Sequence, residues 1–353
     1  MLLATGSAAA AVGSVPTPTW QTNGRVAAVA TVGGVTYIGG TFTKVTDHSG
    51  HSLTVSNLAA LDSNGNVIST FHPAIGGEVK AVVATSSMVI AGGGFTTVAG
   101  KVRQRIAAFS RAGALLSFAA RTNGEVSALA LGGGRLYVGG TFTQASGRLR
   151  SNAAAFVIRN GLLSRWNPSP NGRVAALMTQ PNRVFLGGFF TTVKGQASRR
   201  LAAVAPITGN KLPWRGHPSG QVLSLAQQNG AIYVGVSGLG GAVNRFTAIG
   251  NRAWVRQVNG NVKTIAVVRN QVYVGGHFSA ICARHPHCPM LITRRHLLSL
   301  KTGNGDLTAW NPEANSALGV YILWPATRWL SVGGDFTVLG GVSQTHYGRF
   351  PIN

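Results

Sequence analysis

The sequence predicts an all-β fold, a seven-bladed β-propeller of four-stranded antiparallel blades whose last blade is closed by the N-terminal strand. Three observations carry this. First, the stretch Leu136-Tyr-Val-Gly-Gly-Thr-Phe-Thr143 returns as Tyr37-Ile-Gly-Gly-Thr-Phe-Thr43, Val89-Ile-Ala-Gly-Gly-Gly-Phe-Thr96, Val184-Phe-Leu-Gly-Gly-Phe-Phe-Thr191, Val272-Tyr-Val-Gly-Gly-His-Phe-Ser279 and Leu330-Ser-Val-Gly-Gly-Asp-Phe-Thr337. Its phenylalanines Phe42, Phe95, Phe142, Phe190, Phe278 and Phe336 lie 53, 47, 48, 88 and 58 residues apart. The longest gap holds a worn copy, Ile232-Tyr-Val-Gly-Val-Ser237, and a period in this range marks a stacked or radial repeat. Second, no segment carries a helical period; every unit reads as short strands punctuated by glycine turns. Third, the final unit, Leu318 to Phe350, supplies three strands, while Pro18-Thr-Trp20 matches an outer strand. Together the two ends would complete one blade and remove a free edge.

Taken in order, Val26-Ala-Ala-Val-Ala-Thr-Val32 is an inner strand, nearly continuous in apolar residues because both its faces are buried. Gly33-Gly34 turns the chain, since glycine tolerates positive φ. Val35 to Thr43 is the second strand, a polar loop runs to Ser56, Asn57-Leu-Ala-Ala-Leu-Asp62 is the third, and Val67 to Pro73 the outer one. Later inner strands begin at Val79, Val126, Val174, Val222, Val262 and near Leu318. Outer strands end in an aromatic, often before proline, as in Phe71-His-Pro73, Trp166-Asn-Pro168 and Trp310-Asn-Pro312, which suits a sheet edge. Asn23-Gly24, Asn123-Gly124, Asn171-Gly172 and Asn259-Gly260 separate units.

This script resembles the Delta-60 repeat β-propellers of bacteria: Tyr-Val-Gly-Gly-x-Phe-Thr, then Arg or Asn before Leu-Ala-Ala, then Trp-Asn-Pro and Asn-Gly-x-Val-x-Ala. The likeness covers residues 18–350 and implies an exported protein, with an architecture but no established activity. Kelch-type propellers are similar more weakly, through the Gly-Gly after a strand.

The 353 residues hold 45% hydrophobic residues, enough for a core, and 48 Gly against 14 Pro, which argues for tight turns rather than a collagen-like or disordered chain. Only 11% are charged, and 31 Lys+Arg face 7 Asp+Glu, a balance of +24 that favours anionic partners. Residues 1–17 read as a signal-peptide remnant or a disordered tail, with Ala8-Ala-Ala10 as a cleavage candidate, and residues 18–353 as one propeller domain. No stretch approaches the roughly 20 apolar residues of a membrane span.

In a propeller the loops joining strands two and three share a face with those joining units. Here they are the longest loops and hold many cations. Arg105, Arg200, Arg245 and Arg295 recur just before the third strand, which fits a guanidinium clamp on loop carbonyls. Lys101, Arg103, Arg148, Arg199, Arg284 and Arg294 do not recur and are the candidates for polyanion binding. Arg25, Glu78, Glu125 and Arg173 precede inner-strand valines and would ring the channel mouth. Glu78 and Glu125 could form an acid/base pair, but Arg25 and Lys80 stand ready to neutralise them. Cys282 and Cys288, flanking His285 and His287, read as a disulfide pinning an inserted loop, because seven residues are too compact to wrap a metal tetrahedron. No Gly-x-Ser-x-Gly, phosphate-cradling loop or His-Glu-x-x-His appears. The expectation is an exported, monomeric, non-catalytic binding or scaffold module without cofactor or metal. Its basic loop face would take an anionic polymer or a cell-envelope component. The alternatives are a polysaccharide-active enzyme working at the channel mouth and a structural module that docks a protein partner.

Overall fold

The computed structural model describes residues 12–238, 240–283, 288 and 290–353, and every regular element among them is a β-strand. The cleavage candidate Ala8-Ala-Ala10, and Arg284, His285 and His287, lie outside the described residues. Among the described residues, seven antiparallel sheets form the body. Their inner strands are Val26–Val32, Val79–Ala84, Glu125–Gly132, Val174–Gln180, Gln221–Gln228, Asn261–Val268 and Val320–Pro325. Each pairs with a middle strand: Val35–Gly40, Met88–Gly93, Arg135–Thr141, Arg183–Gly188, Ala231–Ser237, Gln271–His277 or Trp329–Gly334. Each middle strand pairs outward with a third: Leu58–Leu61, Ile106–Ser110, Ala153–Val157, Leu201–Val204, Ala242–Phe246, Leu297–Lys301 or Tyr347–Pro351.

The outer strand departs from expectation. Only the fifth sheet has it in full, as Arg252–Gln257. Elsewhere it shrinks to single bridges such as Leu61↔Val67, Phe156↔Leu163 and Leu300↔Leu307. Prolines 73, 168 and 312 lie five or six residues beyond these bridges, yet the second sheet, with no proline between Leu115 and Asn123, also stops at the single bridge Phe109↔Leu115. In the last sheet the outer position is held by residues 12–17. Val12 bridges Ile352 and Thr17 bridges Arg349, with Gly13 N–H donating to the Pro351 carbonyl at 2.8 Å. This pairing falls earlier in the chain than the expected Pro18-Thr-Trp20; Trp20 instead packs, half-buried, on the apolar cluster of the first sheet.

The glycine pair explains how the sheets stack. A Cβ on Gly39 would meet Val79 Cγ1 at 2.5 Å, and one on Gly139 would meet Val174 Cγ1 at 2.6 Å, so the first glycine admits the inner-strand valine of the following sheet. Gly333 of the last sheet stands in the same relation to Val26 of the first. The second glycine, as at Gly40, lies against the carbonyl of the residue just before the inner strand's first valine, here Arg25, and leaves no room for a side chain. Each inner strand therefore packs on the next, and Val320–Pro325 packs on Val26–Val32. The buried residues fall into seven clusters, each drawn from two neighbouring sheets, and one of them joins Val26 and Ile38 to Tyr347. The fold is thus all-β and propeller-like, with its core divided among the seams.

Candidate functional site: the hairpin face and the channel mouth

The loops from middle to third strand are more ordered than the sequence suggested. Five carry two-stranded hairpins: Thr97–Val98 with Lys101–Val102, Gln144–Ala145 with Arg148–Leu149, Thr192–Val193 with Gln196–Ala197, Ala280–Cys282 with Leu291–Thr293, and Val338–Leu339 with Val342–Ser343. In the first unit Lys44–Thr46 pairs with both Ser52–Thr54 and Gln21–Thr22. The signal was present as Ala99-Gly100, Ser146-Gly147 and Lys194-Gly195, residue pairs whose φ values are all positive (44° and 75°, 46° and 78°, 48° and 74°), as a tight two-residue hairpin turn requires.

Two recurrent devices tie the hairpins down, the first absent from the second unit, where Gly76 stands in place of the asparagine. The asparagine between units caps the Phe-Thr segment: Asn123 Oδ1 accepts the N–H groups of Thr143 (3.0 Å) and Gln144 (2.9 Å), while its amide reaches Thr143 Oγ1 at 2.8 Å. Asn23, Asn171, Asn259 and Asn315 repeat the arrangement. Second, a residue with left-handed φ precedes the third strand: Asn57, Arg105, Asn152, Arg200, His296 or His346, at 59° to 69°. Its N–H donates to the repeat phenylalanine's carbonyl and its own carbonyl accepts from the second glycine, as Asn152 does with Phe142 (2.7 Å) and Gly140 (3.0 Å).

These devices sort the cations. Arg105 and Arg200 occupy the left-handed position, and Arg105 also donates to the Gly94 carbonyl. Arg245 and Arg295 do not share that place. Arg245 lies within the third strand opposite Tyr233 and Trp254, and Arg295 stands 3.8 Å from Glu313 beside His296, which takes the recurrent position. Arg103 and Arg294 turn out to recur with Arg150. Their backbone N–H groups bind Thr96, Ser279 and Thr143 carbonyls, and their guanidiniums donate to the preceding carbonyl at 2.8 Å. Burial, then the charge of Arg148, lowers the Arg150 pKa. Lys101, Arg148 and Arg199 are exposed, and no ion pair among the described residues engages them.

Around the axis, a cavity of about 850 Å³ is lined by residues of all seven inner strands. Every inner strand bulges after its first valine, and the extra residue faces this cavity: Ala27, Lys80, Ser127, Ala175, Leu223, Lys263 or Tyr321. At the mouth, Lys80 Nζ bridges Glu125 (2.7 Å) and Glu78 (3.3 Å), and Arg25 bridges Glu78 (2.8 Å) and Asp335 (3.6 Å). Burial opposes the Arg25 charge, but the Glu78 hydrogen bond, Tyr321 and Asp335 outweigh it and the pKa lies above the ordinary value. On the other side, Lys263 sits 3.6 Å over the Tyr321 ring and Arg173 5.6 Å over Phe189. The two glutamates are therefore joined through a lysine, which suits linkage between sheets better than proton transfer.

Cys282 and Cys288 form a disulfide with Cα atoms 5.2 Å apart, as the sequence suggested. Among the described residues no cluster of metal-ligating side chains occurs, and no helix is long and apolar enough to cross a membrane.

No protein-family model matches the chain, and no curated protein matches its sequence. Solved structures do. The computationally designed Ika8 protein aligns with TM-score 0.60 at 13% identity, over 95% of this chain and 98% of that one. The WD40 β-propeller domain of Doa1 aligns with TM-score 0.58 at 12% identity, over 95% and 97%. At such identities the likeness is one of fold.

Proposed function

We propose that this chain is an exported, non-catalytic seven-bladed propeller of the Delta-60 repeat type, closed by its N-terminal residues, whose hairpin face binds an anionic polymer. The bladed reading is supported by the seven sheets, the Gly333–Val26 contact and the pairing of residues 12–17 with Tyr347–Pro351. The disulfide is compatible with export. The observation that carries the binding reading is the division of charge on the hairpin side. The acids near it are spent in pairs, Glu78, Glu125 and Asp335 with Arg25 and Lys80, Glu313 with Arg295, and Asp47 with His51. Lys101, Arg148 and Arg199 are left projecting from three successive units.

The test is retention on immobilised heparin across a salt gradient. Reversing Lys101, Arg148 and Arg199 to Glu should lower the elution salt sharply and reduce the slope of log K against log salt by about 3. Reversing Arg159, Arg269 and Lys301, on turns at the opposite side, should change it far less. Equal effects of the two triple variants, or retention indifferent to salt, would sink the reading.

A further inference from the structure

Five sheets place an aromatic ring at one spot on the middle strand, two residues before the first glycine of the pair: Tyr37, Tyr137, Phe185, Tyr233 and Tyr273. Opposite each, on the inner strand, stands a non-aromatic partner: Ala30, Ala130, Met178, Ala226 or Ala266. The ring fills the seam to the next sheet and meets an outer-strand aromatic, as Tyr137 meets Trp166 with centroids 5.0 Å apart and Tyr273 meets Trp310 at 4.9 Å. The second sheet fills the spot with Ile90. In the last sheet the pair is inverted: Trp324 stands on the inner strand opposite Ser331 on the middle one. Its outer residues, 12–17, bring no aromatic ring either.

The seam between the last and first sheets accordingly keeps a cavity of about 310 Å³, within the range of ligand pockets. Trp324, Trp329, Val32 and Leu61 form its apolar walls. At its buried end the Ser331 and Tyr347 hydroxyls lie 3.1 Å apart, each able to donate and accept. Arg349, 6% exposed, packs its guanidinium 4.2 Å from the Trp329 centroid and is held by the Ser63 and Asn64 carbonyls. Asp62 is occupied by the N–H groups of Asn64 (2.9 Å) and Asn66 (2.8 Å), so the charge left uncommitted at the rim is the exposed Arg328.

We propose that this cavity binds a small aromatic carboxylate. The ring takes the place that tyrosine or phenylalanine takes in five of the other seams. Its carboxylate turns to Arg328, and a ring hydroxyl meets the Ser331–Tyr347 pair. A free aromatic acid and the C-terminal aromatic residue of a peptide present the same chemistry. The site opens beside the turns between inner and middle strands, away from the hairpins, and does not rest on polyanion binding.

The probe is 4-hydroxybenzoate, titrated by calorimetry and by tryptophan fluorescence. Saturable binding is expected with Kd between about 10 μM and 1 mM. Ser331→Tyr supplies the missing ring from the protein itself and should abolish binding while leaving the circular dichroism and unfolding midpoint intact; should it unfold, Ser331→Leu serves the same end. Arg328→Gln should weaken 4-hydroxybenzoate about tenfold and leave 4-hydroxybenzyl alcohol unaffected. A tripeptide ending in tyrosine that competes only with a free carboxylate identifies a peptide end as the source, and one that fails to compete leaves the free acid. No saturation by about 10 mM, full binding by both Ser331 variants, or displacement by a methyl hexoside overturns the proposal.

Discussion

Replacing Gly39 by Ala puts the stacking of sheets to a direct test. The new Cβ would stand 2.5 Å from Val79 Cγ1, 3.0 Å from Val82 Cγ2 and 3.2 Å from Val79 Cβ, all atoms of the following sheet. Val79 is fully buried, so the overlap is relieved only by moving side chains in a close-packed seam. Such overpacking costs about 1–3 kcal/mol. Val79→Ala alone removes two methyl-sized groups and should cost about 2 kcal/mol by transfer and cavity together. In the double variant the added methyl enters the space the valine gave up, so the total should fall short of the sum by about 1–2 kcal/mol. Val79 Cβ and Val82 remain close, which keeps the rescue incomplete. The readout is equilibrium urea unfolding of the three variants. Additivity within about 0.5 kcal/mol refutes the packing argument. Gly333→Ala, whose Cβ would lie 2.8 Å from both Val26 Cγ1 and the Val26 carbonyl, carries the same reasoning across the junction of last and first sheets. A cost near zero there would mean that the two sheets are not in contact in solution.

Two further outcomes follow from single positions. Burial first, and then neighbouring His277, hold the His296 pKa below the ordinary histidine value despite the Gly276 carbonyl. The folded ring then binds its proton at lower pH than the unfolded one, so its contribution is present above about pH 6.5 and lost as pH falls through the folded value. His296→Asn, the residue found at the matching positions 57 and 152, should flatten that slope of stability against pH; an unchanged slope places its origin elsewhere. Reducing the Cys282–Cys288 bridge should add two hydrogens by mass, and the paired serine variant should lose about 2 kcal/mol, the loop-closure value for so short a ring. Equal stability of the two forms would contradict it.

The glycine pair, the phenylalanine and the asparagine were legible because their roles demand one residue type. Only glycine fits against Val79, and only a short amide spans two N–H groups and a hydroxyl from position 23 or 123. The hairpin arginines were not legible, because the recurrent function there belongs to the backbone. The N–H that binds Thr96 from Arg103 is supplied by Ser198 and Gln344 in other units, so the side chain varies freely and looks unique. For the same reason Asn57, Arg105 and His296 hide a shared left-handed φ behind three chemistries. The outer strands were overread: an aromatic ending, often before proline, suggested full ladders, whereas outside the fifth sheet single bridges form whether or not a proline follows, as at Phe109↔Leu115. Inversion of Trp324 and Ser331 becomes visible only once the two strands are placed in register.

The antiparallel bridge between Val12 and Ile352 brings the two extremities of the described chain side by side. A short linker there, with new ends opened at the solvent-facing Gly147, yields a circular permutant in which the last sheet is covalently continuous and the third sheet, cut between Arg135–Thr141 and Ala153–Val157, is the one joined from both ends. The place where the molecule is sewn together then becomes a matter of genetic choice, and mechanical or thermal fraying moves with it.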